Sequence, residues 1–301
     1  MNEKSFSQTD NRISYPLDQA ENLRKSAQII KKRESKLFDS NSAYKIAIAS
    51  GKGGVGKSTM AMNIAISMQS IGRFAYKILL VDADINLGNL DIMLGLKLGK
   101  NLHHVFENDL NVEDIIVKHE SGIDFLPATS GSIEILDNEE VAIDRILNVI
   151  RKLEKNYDII IFDCPAGIDR FVLDFINFSD ETLIVITPEQ SSIVDAYASI
   201  KLAILENEDM PIHVVVNEVS GKNEGEEIFD KLNLVIKHFL SKEIILLGYT
   251  EKSEDCIQAE KKQIPVVKYK PNSSVAKNIK SISSAIFNKF KKFHSNKGKI
   301  K

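Results

Sequence analysis

One stretch limits the possible folds of this chain more than any other. The run Lys45–Ser50 (KIAIAS) is followed by Gly51-Lys52-Gly53-Gly54-Val55-Gly56-Lys57-Ser58-Thr59, and then by the apolar stretch Met60–Met68. A short run without polar alternation reads as a strand buried on both faces. The glycine-rich turn matches G-x-x-x-x-G-K-[ST], and the strand–loop–helix order is the one that its chemistry needs. Its glycines let backbone N–H groups converge on phosphate oxygens, and the helix N-terminus adds positive potential. Residues 51–59 are therefore expected to bind ATP, with Lys57 on the β- and γ-phosphates and Ser58 on Mg²⁺.

From Tyr44 onward, further strand-like runs alternate with helical stretches. Strands are expected at 45–50, 76–82, 122–128, 157–163, 181–187, 212–217 and 243–248. Helices are clearest at 57–71, 140–154, 191–206 and 226–240. Most strands lack period-two polarity, so both faces are covered, and the fold class is α/β. The expected architecture is a doubly wound, mostly parallel sheet of the P-loop NTPase type with helices on both faces.

Two acidic sites accompany the loop. Asp163 ends the strand run IIIF, where a second Mg²⁺-coordinating carboxylate belongs, and Asp82-Ala83-Asp84 ends KILLV. Both lie at carboxyl ends of strands, the edge where open α/β sheets bind ligands.

The rest of the chain sets bounds. No apolar run is long enough to span a bilayer, and the polar N-terminus carries no apolar signal core. Cys164 and Cys256 give neither a disulfide framework nor metal-ligand spacing, and a reduced cytoplasmic setting fits. The adjacent His103 and His104 lack an evident third ligand and are read as a solvated turn. Residues 1–43 read as an N-terminal extension, with Leu17, Ala20, Leu23, Ala27 and Ile30 at helical spacing within 17–36. The ATPase domain is placed at 44–286 and a basic amphipathic tail at 287–301. Residues 268–301 hold ten Lys and no Asp or Glu; without them the chain carries 29 basic and 42 acidic residues, a net of −13.

KGGVGKST, with Lys52 early in the loop, resembles the deviant Walker A ATPases of the MinD/ParA superfamily. DADINLGNLD (82–91) looks like the first switch of the MinD type and DCPAG (163–167) like the second. ITPEQSSIVDAYASIK (186–201), VVNEV (215–219), LGY (247–249) and SSVAKNIKSIS (273–283) continue the match in order. Within the superfamily the chain most resembles the flagellar group called FlhG, FleN or YlxH. In front of the domain, Asp18-Gln19-Ala20-Glu21-Asn22-Leu23-Arg24 resembles the DQAxxLR element through which that group binds and activates FlhF, a signal-recognition-type GTPase.

The resemblance implies a slow ATPase whose ATP form is a face-to-face homodimer and which regulates flagellar number or placement. In it Lys52 crosses to the partner's nucleotide, Asp84 positions the attacking water, Asp163 holds Mg²⁺ and Asn217 reads the adenine edge. Asp18, Gln19, Ala20, Leu23 and Arg24 would contact the GTPase, and flagellar rotor (C-ring) proteins are further candidate partners. Asn86, Glu218 and Thr250–Ser253 depart from the family pattern, which bears on base selectivity and first-switch geometry.

Val275, Ile279, Ile282, Ile286, Phe290 and Phe293 form one stripe at helical spacing. Its first half is expected in the core. Phe287, Phe290 and Phe293, with Lys291 and Lys292, are expected on an anionic membrane surface, giving a cytoplasmic protein that joins the membrane as the ATP-bound dimer. The lysines also suit DNA phosphates, the reading of a partition ATPase. Against it stand the acidic body and the DQAENLR segment.

Overall fold

The computed structural model describes residues 42–73, 75–84, 88–107, 110–127 and 139–298. The chain divides into two units, 1–40 and 41–301. The helix expected over 17–36, with Asp18, Gln19, Ala20, Leu23 and Arg24, lies outside the described residues, as does Asn86.

In chain order the elements are β1 (Tyr44–Ser50), α1 (Lys57–Ile71), β2 (Ile78–Asp82), α2 (Leu90–Met93), α3 (Leu102–Glu107), a 3₁₀ turn (Val112–Ile115), β3 (Val117–Lys118), β4 (Asp124–Leu126), α4 (Glu139–Leu153) and β5 (Ile159–Ala166). There follow α5 (Arg170–Phe178), β6 (Glu181–Ile186), α6 (Gln190–Glu206), β7 (Ile212–Val219), α7 (Lys222–Leu240), β8 (Ile245–Glu251), α8 (Glu254–Lys261), α9 (Val266–Tyr269) and α10 (Ser274–Gly298). The described strands form one sheet in the order β3-β4-β2-β5-β1-β6-β7-β8. Every pairing is parallel except β3 with β4.

Alternation along the strands builds two cores. Ala47 and Ala49 point into one cluster with Phe162, Ile184 and Val214, covered by α4, α5, α6 and α7. Ile46 and Ile48 point into the other with Leu80, Ile161 and Val215, covered by α1, α9 and α10. The helices follow from where they sit. In α4 the buried Ala142, Ile143, Ile146, Leu147 and Ile150 recur every three to four residues, one stripe facing the sheet. In α1 every residue from Met60 to Gln69 is buried, which is why all but Asn63, Ser67 and Gln69 of that stretch are apolar.

Two expectations change here. His103 and His104 do not sit in a turn: they lie in α3, with His103 paired to Glu107 at 2.8 Å and His104 to Asn101 at 2.8 Å. The tail also differs. Helix α10 runs unbroken through residues 286 and 287, so no structural boundary separates domain from tail. Phe287 and Phe290 are each only 2% exposed, inside the core rather than free for a membrane. Phe293 is half-buried, its ring 4.9 Å from that of Tyr44. The stripe that holds Val275 and Ile282 against the sheet continues without a break, and Tyr44 and Tyr76 form an aromatic shelf that takes its last turns. Lys289 reinforces the seat by reaching Glu181 at 3.4 Å and also His213, and burial lowers the ammonium's pKa. Only Lys291 and Lys292 of the expected membrane set are exposed.

Candidate functional site

Strand order reverses direction on either side of β1, with β5 on one flank and β6 on the other. A crevice opens at such a point above the carboxyl ends of the strands. The loop Gly51–Gly56 fills it. Gly54 and Gly56 take φ of 79° and 82°, a left-handed conformation that favours glycine. Packing restricts two positions as well. A Cβ on Gly51 would lie 2.3 Å from the Asp195 carbonyl carbon in α6, and one on Gly56 would lie 2.3 Å from Asn217 Nδ2. Above Gly53 and Gly54 such an atom meets nothing, so the loop's outer face is open. Ser50 Oγ donates to the Lys52 carbonyl at 2.9 Å and holds the loop's entry.

Helix α1 begins at Lys57 with no side-chain cap and no acidic residue in its first turn. Its leading N–H groups and positive dipole end therefore face the loop without a side-chain partner, a ready anion site. Lys57 is 8% exposed, and its Nζ donates to Asp163 Oδ1 at 2.5 Å and to Ser58 Oγ at 3.3 Å. Asp163 is buried within β5, which runs on past the expected strand end to Ala166; burial pushes its carboxyl above the usual range, and Lys57 and Ser58 pull it back. Lys57, Ser58 and Asp163 thus lie together. These groups fit Mg²⁺ shared with phosphate oxygens, since Mg²⁺ keeps waters and takes only one or two protein oxygens. Thr59 follows in the first turn of α1, and its carbonyl accepts from Asn63 at 2.8 Å.

The second acidic site divides its labour. Asp82 lies directly beside Asp163 in the β2–β5 register. Its carboxyl is pushed up to about 8, by burial first and by Asp163 second. It accepts from the Asp84 N–H at 3.1 Å and the Leu90 N–H at 3.4 Å, so one carboxyl ties both ends of the first-switch segment. Gly88 makes room for it, since a Cβ there would meet Asp82 Oδ2 at 2.5 Å. Asp84, two residues past the end of β2, is more accessible than Asp82.

Lys52 bonds to Glu189 and to Ser191 Oγ (3.1 Å), at the start of α6. That bond lowers the pKa of the exposed Glu189 carboxyl. On the same side of β1, Asn217 Nδ2 on β7 donates to the Val55 carbonyl at 2.8 Å, and Thr250 Oγ1 donates to Asn217 Oδ1. The sequence pattern assigned no role to Asp82, Glu189, Ser191 or Thr250. For Asp82 the available signal was its place at the end of a buried strand. For Thr250 it was its place in the 250–253 departure from the family pattern.

Among the described residues, no group of three or more His, Cys, Asp or Glu is placed to hold a metal, and no helix is long and apolar enough to cross a membrane. The family profile described as AAA domain matches residues 43–207. The antiactivator FleN of Pseudomonas aeruginosa is 30% identical over 241 residues, 80% of this chain and 85% of that one. The flagellum site-determining protein YlxH of Helicobacter pylori is 33% identical over 262 residues, 86% of this chain and 87% of that one. Among solved structures, the septum site-determining protein MinD of Pyrococcus horikoshii, complexed with Mg-ADP, superposes with a TM-score of 0.65 at 26% identity, covering 81% of this chain and 96% of that one. With a shared fold, a phosphate loop carrying Lys52 and Lys57, and matches over most of its length, the chain belongs to the MinD/ParA family of P-loop ATPases.

Proposed function

We propose that this protein is an ATP-dependent dimerising switch that regulates flagellar number or placement together with an FlhF-type GTPase. The observation that carries the flagellar part is the pairing of this ATPase domain with the DQAENLR segment in front of it. The likeness to FleN and YlxH supports it.

The chemistry follows from the ion pairs. Bound Mg²⁺ supplies charge neutralisation for phosphoryl transfer. Lys57 would leave Asp163 for the phosphates, and Asp163 with Ser58 would then be free to hold Mg²⁺. Asp84 orients the attacking water. Asn217 meets the adenine edge. Lys52 acts across the interface on the second subunit's phosphates, so it must first leave Glu189 and Ser191. Among the described residues no strong base stands beside the loop, which suits slow turnover and two long-lived states. Lys291 and Lys292 offer positive charge to anionic lipid, each worth at most about 1 kcal/mol, so the two tails of a dimer hold better than one.

The test is GTP hydrolysis by an FlhF-type GTPase in the presence of the full chain. Stimulation is expected, and Gln19→Ala should lose it while ATP-dependent dimerisation in light scattering persists. Absence of stimulation by the unsubstituted chain would remove the flagellar reading and leave the ATPase intact.

A further inference from the structure

The order of the sheet gives the crevice two ends. Asp163 on β5 and Asp84 beyond β2 stand on one side of β1, where Lys57 and Ser58 gather. Asn217 on β7 and Thr250 on β8 stand on the other side. A nucleotide whose terminal phosphate lies at the acidic end therefore extends its nucleoside toward β7 and β8. Asn217 is aimed there by a local irregularity. The β7–β8 register shifts between Val216 and Val219, and Glu218 between them takes a φ of 60°, rare for a residue with a side chain. Bulges of this kind re-aim side chains beside active sites.

The orientation of the Asn217 amide is then fixed from two sides. A backbone carbonyl can only accept, so the amide NH₂ must face Val55 O, at 2.8 Å. The amide oxygen is left to Thr250, whose hydroxyl donates to it from a fully buried position. One N–H and one lone pair remain on the outward side of the amide. Adenine presents the complement, an N7 acceptor beside an N6 donor, whereas guanine presents two acceptors, N7 and O6.

We propose that Thr250 is a specificity-determining residue for the base. It acts as a positioning residue, locking the Asn217 amide in the one orientation that accepts adenine. This rests on the reading of residues 51–59 as a nucleotide site with the nucleoside toward β7. Without the hydroxyl the Val55 carbonyl alone holds the amide, which can pivot about that one bond, so the N–H and lone pair lose their joint alignment with adenine. Guanine, which offers only acceptors and so meets only the N–H, loses less.

The experiment is calorimetric titration of the full chain with Mg-ADP and Mg-GDP, for the wild type, Thr250→Val, Thr250→Ala and Thr250→Ser. Loss of one well-placed hydrogen bond should weaken ADP about five- to tenfold in the Val and Ala variants. GDP binding should stay within about twofold, and Ser should restore the preference, because it returns the hydroxyl and not the methyl. A purely structural effect would lower both nucleotides together and leave the ratio alone. An unchanged ADP:GDP ratio in Val and Ala, with wild type binding ADP normally, overturns the inference and spares the nucleotide site. Failure of the wild type to bind either nucleotide overturns both. If Val does not fold, the Ala and Ser pair decides.

Discussion

Phe290→Ala separates a core helix from a membrane tail. Phe290 is 2% exposed and its ring lies 5.1 Å from Tyr76, 6.1 Å from Tyr44 and 5.5 Å from Phe287, centroid to centroid. Truncating a buried Phe costs about 3–5 kcal/mol in lost transfer energy and residual cavity. The lost ring pairs fall within that range. Against a total stability of roughly 5–15 kcal/mol this is a large fraction. With a urea m-value of about 3 kcal/mol/M, the unfolding midpoint should drop by about 1–1.7 M. Circular dichroism of the full chain in urea reads this directly. Lys292→Ala, on the exposed side of the same helix, is the control and should leave the midpoint in place. A Phe290→Ala shift below about 0.3 M, corresponding to roughly 1 kcal/mol, would refute the packing argument. It would return the aromatic residues of α10 to the membrane. For the same reason, deleting 287–301 uncovers the core and should yield an unstable ATPase, not a merely soluble one.

Lys57→Ala should abolish ATP binding in calorimetry, because no other described side chain places a cation on Asp163 and Ser58; undiminished affinity would sink the loop assignment. Asp84→Ala should bind ATP and persist as a dimer in light scattering while hydrolysing slowly, whereas normal turnover would take Asp84 out of the mechanism. The double substitution Lys291→Glu with Lys292→Glu should keep the urea midpoint and lose sedimentation with anionic liposomes in ATP; retained sedimentation would clear these lysines. Asp82 makes a pH prediction. Its carboxyl titrates at about 8 when folded, above the roughly 3.9 of an unfolded chain, so the folded state holds the extra proton between those values. The stability contributed by this group is full below about pH 4 and declines as pH rises through 8. Asp82→Asn should therefore gain urea midpoint relative to wild type between pH 5 and pH 8; a difference that does not change with pH would refute the assignment.

Much of the molecule was legible because its strongest signals are local. Strand–glycine loop–helix is contiguous, so Gly51–Thr59 and α1 (Lys57–Ile71) could be placed from spacing alone. The buried strands were equally plain, since a run such as Ile159–Phe162 has no other stable home. The short helices were not. Helix α5 (Arg170–Phe178) is nine residues, and α2 and α9 are four each, too few turns for a period to stand out. The tail was misjudged for a physical reason of a different kind. Phenylalanines beside lysines on a helix look alike whether the apolar face meets lipid or protein. What decides is a distant pair of tyrosines, Tyr44 and Tyr76, which no spacing within α10 reveals.

The site shows the same division between contiguous and assembled features. Asp163 and Asp84 could be found as strand-end acids, but the work of Asp82 depends on register. It stands beside Asp163, in a place where its charged form is costly, and so serves the backbone of the first switch rather than a metal. Glu189 and Ser191 reach Lys52 only because β6 neighbours β1 in the sheet. Asn217 and Thr250 are 33 residues apart and meet because β7 and β8 are paired across an irregular register. Asp163, which meets Lys57, thus comes from a strand on one side of β1, and Asn217, which meets Val55, from a strand on the other. A single glycine loop at the reversal of strand order can then take the charged end of a ligand on one flank and its base on the other. On the proposed reading, selectivity between bases and the chemistry of the phosphates rest on different strands, so Thr250→Ala should alter the first while Asp84→Ala alters the second.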